Sequence, residues 1–173
     1  MKLDVPYYSQ YLDVTDSFWS PRACGFCCIK MVATFHSKDI PDIVEIANLA
    51  KSEGGYSEHG IIHDWSVGYF QKLGLNSNRV EKMNGEKTNE GISKIVDSLK
   101  NNCPVIVSVA RERDGKKAFH QIVLTGFEEE NNEVSGFYMN DSASSLQGVG
   151  KDIFVPILDF LKEWRGMAIF VSK

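Results

Sequence analysis

The sequence predicts an α+β fold, with N-terminal helices packed on a mostly antiparallel C-terminal β-sheet. Three observations lead there. Segments before Cys103 repeat apolar residues at helical spacing, and the run Pro104-Val105-Ile106-Val107-Ser108-Val109-Ala110 then changes to the β-branched pattern of a strand. Helices first and strands second is the order of an α+β domain, in which helices cover one side of the sheet.

The elements follow in order. Leu3-Asp4-Val5-Pro6-Tyr7-Tyr8-Ser9-Gln10 reads as a short extended segment, kept to an edge or a lead-in by Pro6, and residues 11–22 as a mostly polar loop. Cys28, Met31, Val32 and Phe35 predict a helix from about Cys24 to Phe35. Asp39 reads as the N-cap of a second helix over roughly 40–51, with Pro41 in its first turn and Ile43, Ile46, Ala47 and Ala50 on one face. After a loop from Ser52 to Gly60, Ile62, Trp65, Tyr69, Phe70 and Leu73 give a third helix, ended by Gly74. A polar stretch runs through Gly85, and Thr88-Asn89-Glu90 caps a fourth helix bearing Ile92, Ile95, Val96 and Leu99.

In the second half, Arg111 to Lys117, centred on Asp114-Gly115, reads as a charged hairpin turn into the strand Phe119–Gly126. Val134–Asn140 is a third strand after the acidic turn Glu128–Glu133. Ile153–Pro156 is a fourth, Ile157–Glu163 a short helix, and Gly166–Val171 a last strand.

At 173 residues, 43% hydrophobic and 24% charged, the chain suits one domain with a real core, a helical half at about 1–102 and a sheet half at about 103–173. A net charge of -4, without a strip of Lys and Arg interleaved with aromatics, gives no footprint for nucleic acid or an anionic membrane. No apolar run approaches the roughly 20 residues that span a bilayer. The N-terminus lacks a secretory signal, so the chain as it stands reads as cytoplasmic, although a secreted protein with its signal removed would look the same. Of the four cysteines, Cys27 and Cys28 are adjacent and Cys24 is a turn away, a spacing unlike a secreted disulfide scaffold; reduced thiols are expected.

Cys24 is the candidate nucleophile. It stands where a polar, Pro-containing loop enters a helix, and there the unpaired N–H groups and the helix dipole favour thiolate over thiol. Gly25 leaves room for a carbonyl to approach. Cys28, among the apolar residues, fits the ordinary role of a buried core cysteine. A thiol nucleophile needs a base, and His120, inside the apolar strand Phe119-His120-Gln121-Ile122-Val123-Leu124-Thr125-Gly126, can take the proton and later protonate a leaving amine. The imidazole needs a group to fix its ring. Asn140 and Asp141 end the next strand, and alternation allows only one of them to face His120; Asp141 is the first choice and Asn140 the alternative.

With these residues in place, Leu3–Gln10, Trp19–Val32 around Ala23-Cys24-Gly25, Phe119–Phe127 and Phe137–Asp141 resemble the papain-like cysteine peptidases related to the bacteriocin-leader-processing, double-glycine peptidases. The resemblance implies a papain-like fold, with Cys24 as nucleophile, His120 as general base and acid, and Asp141 as orienter. It further implies an oxyanion hole made by Gln10 and the backbone N–H of Cys24; a side-chain amide donor suits that task. The chain departs from the family pattern at Phe26, where proline is usual, at Cys27, where a small hydroxyl residue is usual, and at Ser142, again in place of proline. The loop from Gln10 to Cys24 is long. The leader-processing enzymes are typically fused to a transporter and none accompanies this sequence, so double-glycine leader cleavage is not the expectation.

The expected chemistry is cleavage of a peptide or small amide through a thioester on Cys24, without cofactor or metal. Glu112, Arg113, Lys116 and the loop Ser142–Gly150 are candidate cleft walls. Two alternatives compete. Cys24-Gly25-Phe26-Cys27 is a C-x-x-C at a helix start, as in thiol–disulfide redox proteins, though a polar loop precedes it rather than a buried strand. A papain-like binding module with an inactive site is the other. His59 and His63 are spaced like zinc ligands on a helix, but Gly60 lies between them and no Glu follows His59.

Overall fold

The computed structural model describes residues 1–113 and 115–173, without the side chains of Glu112, Arg113 and Lys116. After a 3₁₀ turn at Ser20–Arg22 come α1 (Cys24–Phe35), α2 (Ile43–Ser52), a two-stranded hairpin of β1 (Tyr56–Ser57) and β2 (Gly60–Ile61), and α3 (His63–Lys72). Then follow β3 (Asn76–Val80), α4 (Thr88–Lys100), β4 (Val105–Arg113), β5 (Lys116–Glu130), β6 (Glu133–Asn140), β7 (Ile153–Pro156), α5 (Ile157–Glu163) and β8 (Trp164–Ser172). Six strands form one antiparallel sheet in the order β3-β8-β4-β5-β6-β7. No helix among the described residues is long and apolar enough to cross a membrane.

α1 is buried almost all round, at Gly25, Phe26, Cys27, Cys28, Ile29, Met31, Val32 and Ala33, and packs against β5. A helix without a polar face is a core helix. Successive residues of β4 and β5 are buried as well, Val105, Ile106 and Val107 on one and Ile122, Val123 and Leu124 on the other. Neighbours on a strand point to opposite faces, so the centre of the sheet is covered on both sides and not on one only.

Other boundaries differ from the sequence reading for local reasons. The second helix starts at Ile43, because Asp42 and not Asp39 is its cap: the Asp42 carboxylate accepts from Glu45 N–H at 2.9 Å, and the Glu45 carboxylate accepts from Asp42 N–H at 3.1 Å. This is a reciprocal capping box. The N-terminal segment makes a single bridge, Lys2 to Gly126, with Leu3 N–H donating to Thr125 O, and is a lead-in rather than a strand. Thr88 opens α4 without capping it; its hydroxyl donates back to Gly85 O.

The polar stretch before Gly85 contains β3, a strand from the helical half that forms one edge of the sheet beside β8. The charged turn is tighter than expected, since β4 and β5 stay paired out to Arg113 and Lys116; Asp114 lies outside the described residues. β5 also extends to Glu130, and the turn to β6 is Asn131-Asn132, both at positive φ, which asparagine tolerates better than most residues.

Candidate active site

Cys24 is the first residue of α1, and the preceding Ala23 offers no side-chain cap. No capping side chain therefore occupies the first N–H groups of the helix. Among the described residues the backbone N–H of Cys24 has no partner, and the N–H groups of Gly25 and Gln121 act on the Cys24 sulfur. Burial pushes this thiol up, but the hydrogen bond and charge of His120, with those two N–H groups, outweigh it and hold Cys24 below its ordinary value.

His120 reaches the sulfur from β5. Its Nε2 donates to Asp141 Oδ1 at 2.7 Å, which leaves Nδ1 to face Cys24. Burial alone would lower the imidazole, yet the hydrogen bonds and charges of Asp141 and Cys24 raise it to about 9. The Asp141 carboxylate goes the other way: burial would raise it, while His120, Arg111 and the Ala143 N–H at 2.9 Å hold it well below the usual carboxylate range. A thiol, an imidazole and a carboxylate in such a line, with the thiol lowered and the imidazole raised, are suited to nucleophilic attack with proton transfer.

Strand register decides which residue faces the histidine. Val123 of β5 pairs with Asn140 of β6, so one step further Asp141 stands opposite Ile122, on the same face as His120 two residues away. Asn140 points to the other face, where its amide donates to Val5 O at 3.2 Å and its oxygen accepts from Asp152 N–H at 3.0 Å. The Asp141 backbone is held too, its N–H on Gly150 O at 2.7 Å and its carbonyl accepting from Tyr7 Oη at 2.8 Å.

Gln10 is buried, not solvated. Its amide donates to Ser20 O at 3.0 Å, its side-chain oxygen accepts from Ser142 Oγ at 3.2 Å, and its backbone N–H donates to Ser142 O at 2.9 Å. The hydroxyl of Ser142, where a proline would have none, thus fixes the glutamine. One amide hydrogen of Gln10 is committed to Ser20, and no hydrogen bond joins Gln10 to Cys24 among the described residues.

A cleft of about 520 Å³ opens at Cys24 and His120. One wall is the β1–β2 hairpin with the start of α3; the other is the sheet, at Ser108, Phe119 and Arg165. At the nucleophile the walls close in, because a Cβ on Gly25 would run into the Ile61 methyl and the Gln121 side-chain oxygen. The loop Ser142–Gly150 does not line this cleft among the described residues; it packs behind Asp141, where Gly150 sits against Tyr7. The side chains of Glu112, Arg113 and Lys116 lie outside those described.

Sequence reasoning missed Arg111, which donates to both Asp141 and, at 2.8 Å, Glu163. It also missed the hairpin wall. All four cysteines are free thiols, and Cys27 is fully buried, its thiol pushed up by burial and by Cys24. His59 is an exposed hairpin residue 3.5 Å from Glu58, while His63 is part of the cleft wall.

The pattern of the Peptidase C39 like family matches residues 2–168. Among solved structures, the double glycine motif protease from an AMS/PCAT transporter, determined with the leader peptide, is 18% identical with a TM-score of 0.64, over 99% of this chain and 94% of that one. The peptidase domain of Streptococcus mutans ComA is 18% identical in its complex with a small-molecule inhibitor (TM-score 0.54, 88% and 93% covered) and 17% identical in a second structure (TM-score 0.53, 95% and 99% covered). The likeness establishes the papain-like fold. No curated protein sequence matches the chain significantly.

Proposed function

The chain belongs to the Peptidase C39 like family of cysteine-type peptidases, and on that premise we propose that it hydrolyses a peptide bond through a thioester on Cys24, with His120 moving the proton and Asp141 fixing the imidazole. The observation that carries this reading is the line Cys24, His120, Asp141, set at an uncapped helix start in the floor of a cleft.

The Cys24 thiolate adds to the scissile carbonyl carbon, and the charge that develops on its oxygen meets the open N–H of Cys24 and the remaining amide hydrogen of Gln10. The imidazolium of His120 gives its proton to the leaving amine, the C–N bond breaks, and a thioester remains. Neutral His120 then takes a proton from water as the hydroxide adds to the thioester. Collapse releases the carboxylic acid and restores the thiolate–imidazolium pair. Asp141 stabilises the cationic ring throughout, and Arg111 keeps Asp141 ionised.

The width of the cleft bears on the substrate. Ile61 and Gln121 pack close on Gly25 beside the nucleophile, and the related transporter protease was determined with a leader peptide; the substrate proposed here is a peptide with a small residue, such as glycine, at the acyl side of the bond. A redox role for Cys24 and Cys27 is disfavoured by burial of Cys27, whose thiol is pushed away from ionisation.

The test is covalent trapping by a peptidyl electrophile ending in glycine, located by peptide mass mapping. Modification falls on Cys24 and disappears in Cys24→Ala while the thermal midpoint is retained. Trapping that persists on another cysteine contradicts the reading.

A further inference from the structure

Val107 of β4 pairs with Ala168 of β8, but Val109 pairs with Trp164, so β8 carries two residues more than β4 over the same interval. A bulge of this kind bends a strand and re-aims its side chains. This one is well supported. Gly166 adopts φ 69°, its carbonyl accepts from Met83 N–H at 2.9 Å, and Trp164 Nε1 donates to Met167 O at 3.0 Å.

The bulge carries Arg165 into the cleft. Its guanidinium lies 3.9 Å from the ring centroid of the exposed Phe119, next to His120, and donates to the buried Ser108 Oγ at 3.0 Å. A flat aromatic support and one hydrogen bond leave most of the guanidinium fork open. Among the described residues no carboxylate pairs with Arg165, whereas Arg79 on the same cleft is occupied by Asp64 and Glu81. The charge of Arg165 is felt across the cleft: after burial and Arg79, it helps to hold His63 below its ordinary value. Arg22, the remaining arginine of the cleft, is turned onto Phe18, its guanidinium over the ring and donating to Phe18 O at 2.8 Å. An arginine fixed in place with its fork open is suited to planar recognition of a carboxylate.

We propose that Arg165, on its Phe119 platform, forms a subsite that selects peptides carrying a carboxylate, either an Asp or Glu side chain or a free C-terminus. The inference rests on the cleft being the peptide site, and it names a substrate class for it. Neutral peptides then enter less readily than acidic ones, by about tenfold for a charge-assisted pair at the wall of a cleft.

Two probe series test it in the wild type, Arg165→Ala and Arg165→Glu. Peptidyl acyloxymethyl ketones ending in glycine, with a single Glu or Gln moved through the preceding positions, report a side-chain carboxylate by the rate of Cys24 modification. Short peptides beginning with glycine, ending in a free carboxylate or an amide, report a C-terminal one by protecting Cys24 from iodoacetamide. The iodoacetamide rate alone shows that the Cys24 environment is intact in each variant.

The expected result is a preference of about tenfold for the carboxylate in one series, weakened by salt, lost in Arg165→Ala and reversed to favour the neutral probe in Arg165→Glu. No carboxylate preference in either series, or one that survives Arg165→Ala, overturns the proposal. Failure of the peptidase reading is a separate outcome: the wild type hydrolyses no peptide, while the Arg165-dependent preference in labelling persists.

Discussion

His120 Nε2 donates to Asp141 Oδ1 at 2.7 Å, and the other oxygen of that carboxylate takes Arg111. Two cations on one buried carboxylate keep it ionised, so that it can hold the imidazole as imidazolium beside the Cys24 sulfur.

Replacing Asp141 by Asn keeps a polar group of the same shape and removes the charge. On the proposed mechanism kcat/KM falls on the order of a hundredfold, and the pH at which Cys24 becomes reactive rises. Steady-state kinetics and alkylation rates measure the two effects. Unchanged rates would show that the carboxylate does not act through His120.

The same pairing sets a pH dependence of stability. His120 is raised from 6.5 to about 9 in the folded chain, so its contribution is fully present below 6.5 and is lost as pH rises through about 9. Asp141 is depressed, and its contribution is present above the ordinary carboxylate value and lost as pH falls through its lowered one. In a Cys24→Ala background, where the opposite shift of Cys24 cannot offset it, the midpoint difference that His120→Ala makes therefore shrinks as pH rises above 6.5. A difference independent of pH there would contradict the raised value.

The capping box at α2 gives a prediction on the fold alone. Asp42→Ala costs about 1 kcal/mol, a midpoint drop of about 2–4 °C in a chain of this size. Asp39→Ala, at an exposed residue without a capping contact, leaves the midpoint unchanged. Thermal melts of the two variants decide between the two caps.

What the sequence displays and what it hides follow from the range of each interaction. α1, β7 and α5 were legible to the residue, because apolar spacing and turn formers are local signals. β3 was not, since Asn76-Ser77-Asn78-Arg79-Val80 is a polar edge strand whose pairing with β8 leaves no alternation in its own residues. The hairpin over Gly25 was read as a loop for the same reason: two residues a side cannot show a period.

At the site, alternation along a strand showed that only one of Asn140 and Asp141 faces His120, and the register of β6 on β5, not visible in the sequence, makes it Asp141. Arg111 was hidden because its partners Asp141 and Glu163 lie 30 and 52 residues away. Arg165 was hidden because a bulge is a property of two paired strands, not of either sequence. Gln10 was named from the family resemblance alone, because the contacts to Ser20 and Ser142 that hold its side chain come from residues 10 and 132 positions away.

The central claim is that Cys24 and His120 form an ion pair, and the most direct test is the pH dependence of Cys24 alkylation in wild type and His120→Ala, with the site located by peptide mass mapping. The account predicts that the wild type reacts well below the roughly 8.5 of a free thiol, and that this low-pH limb disappears in His120→Ala. A single thiol titration near 8.5 in both proteins would contradict it.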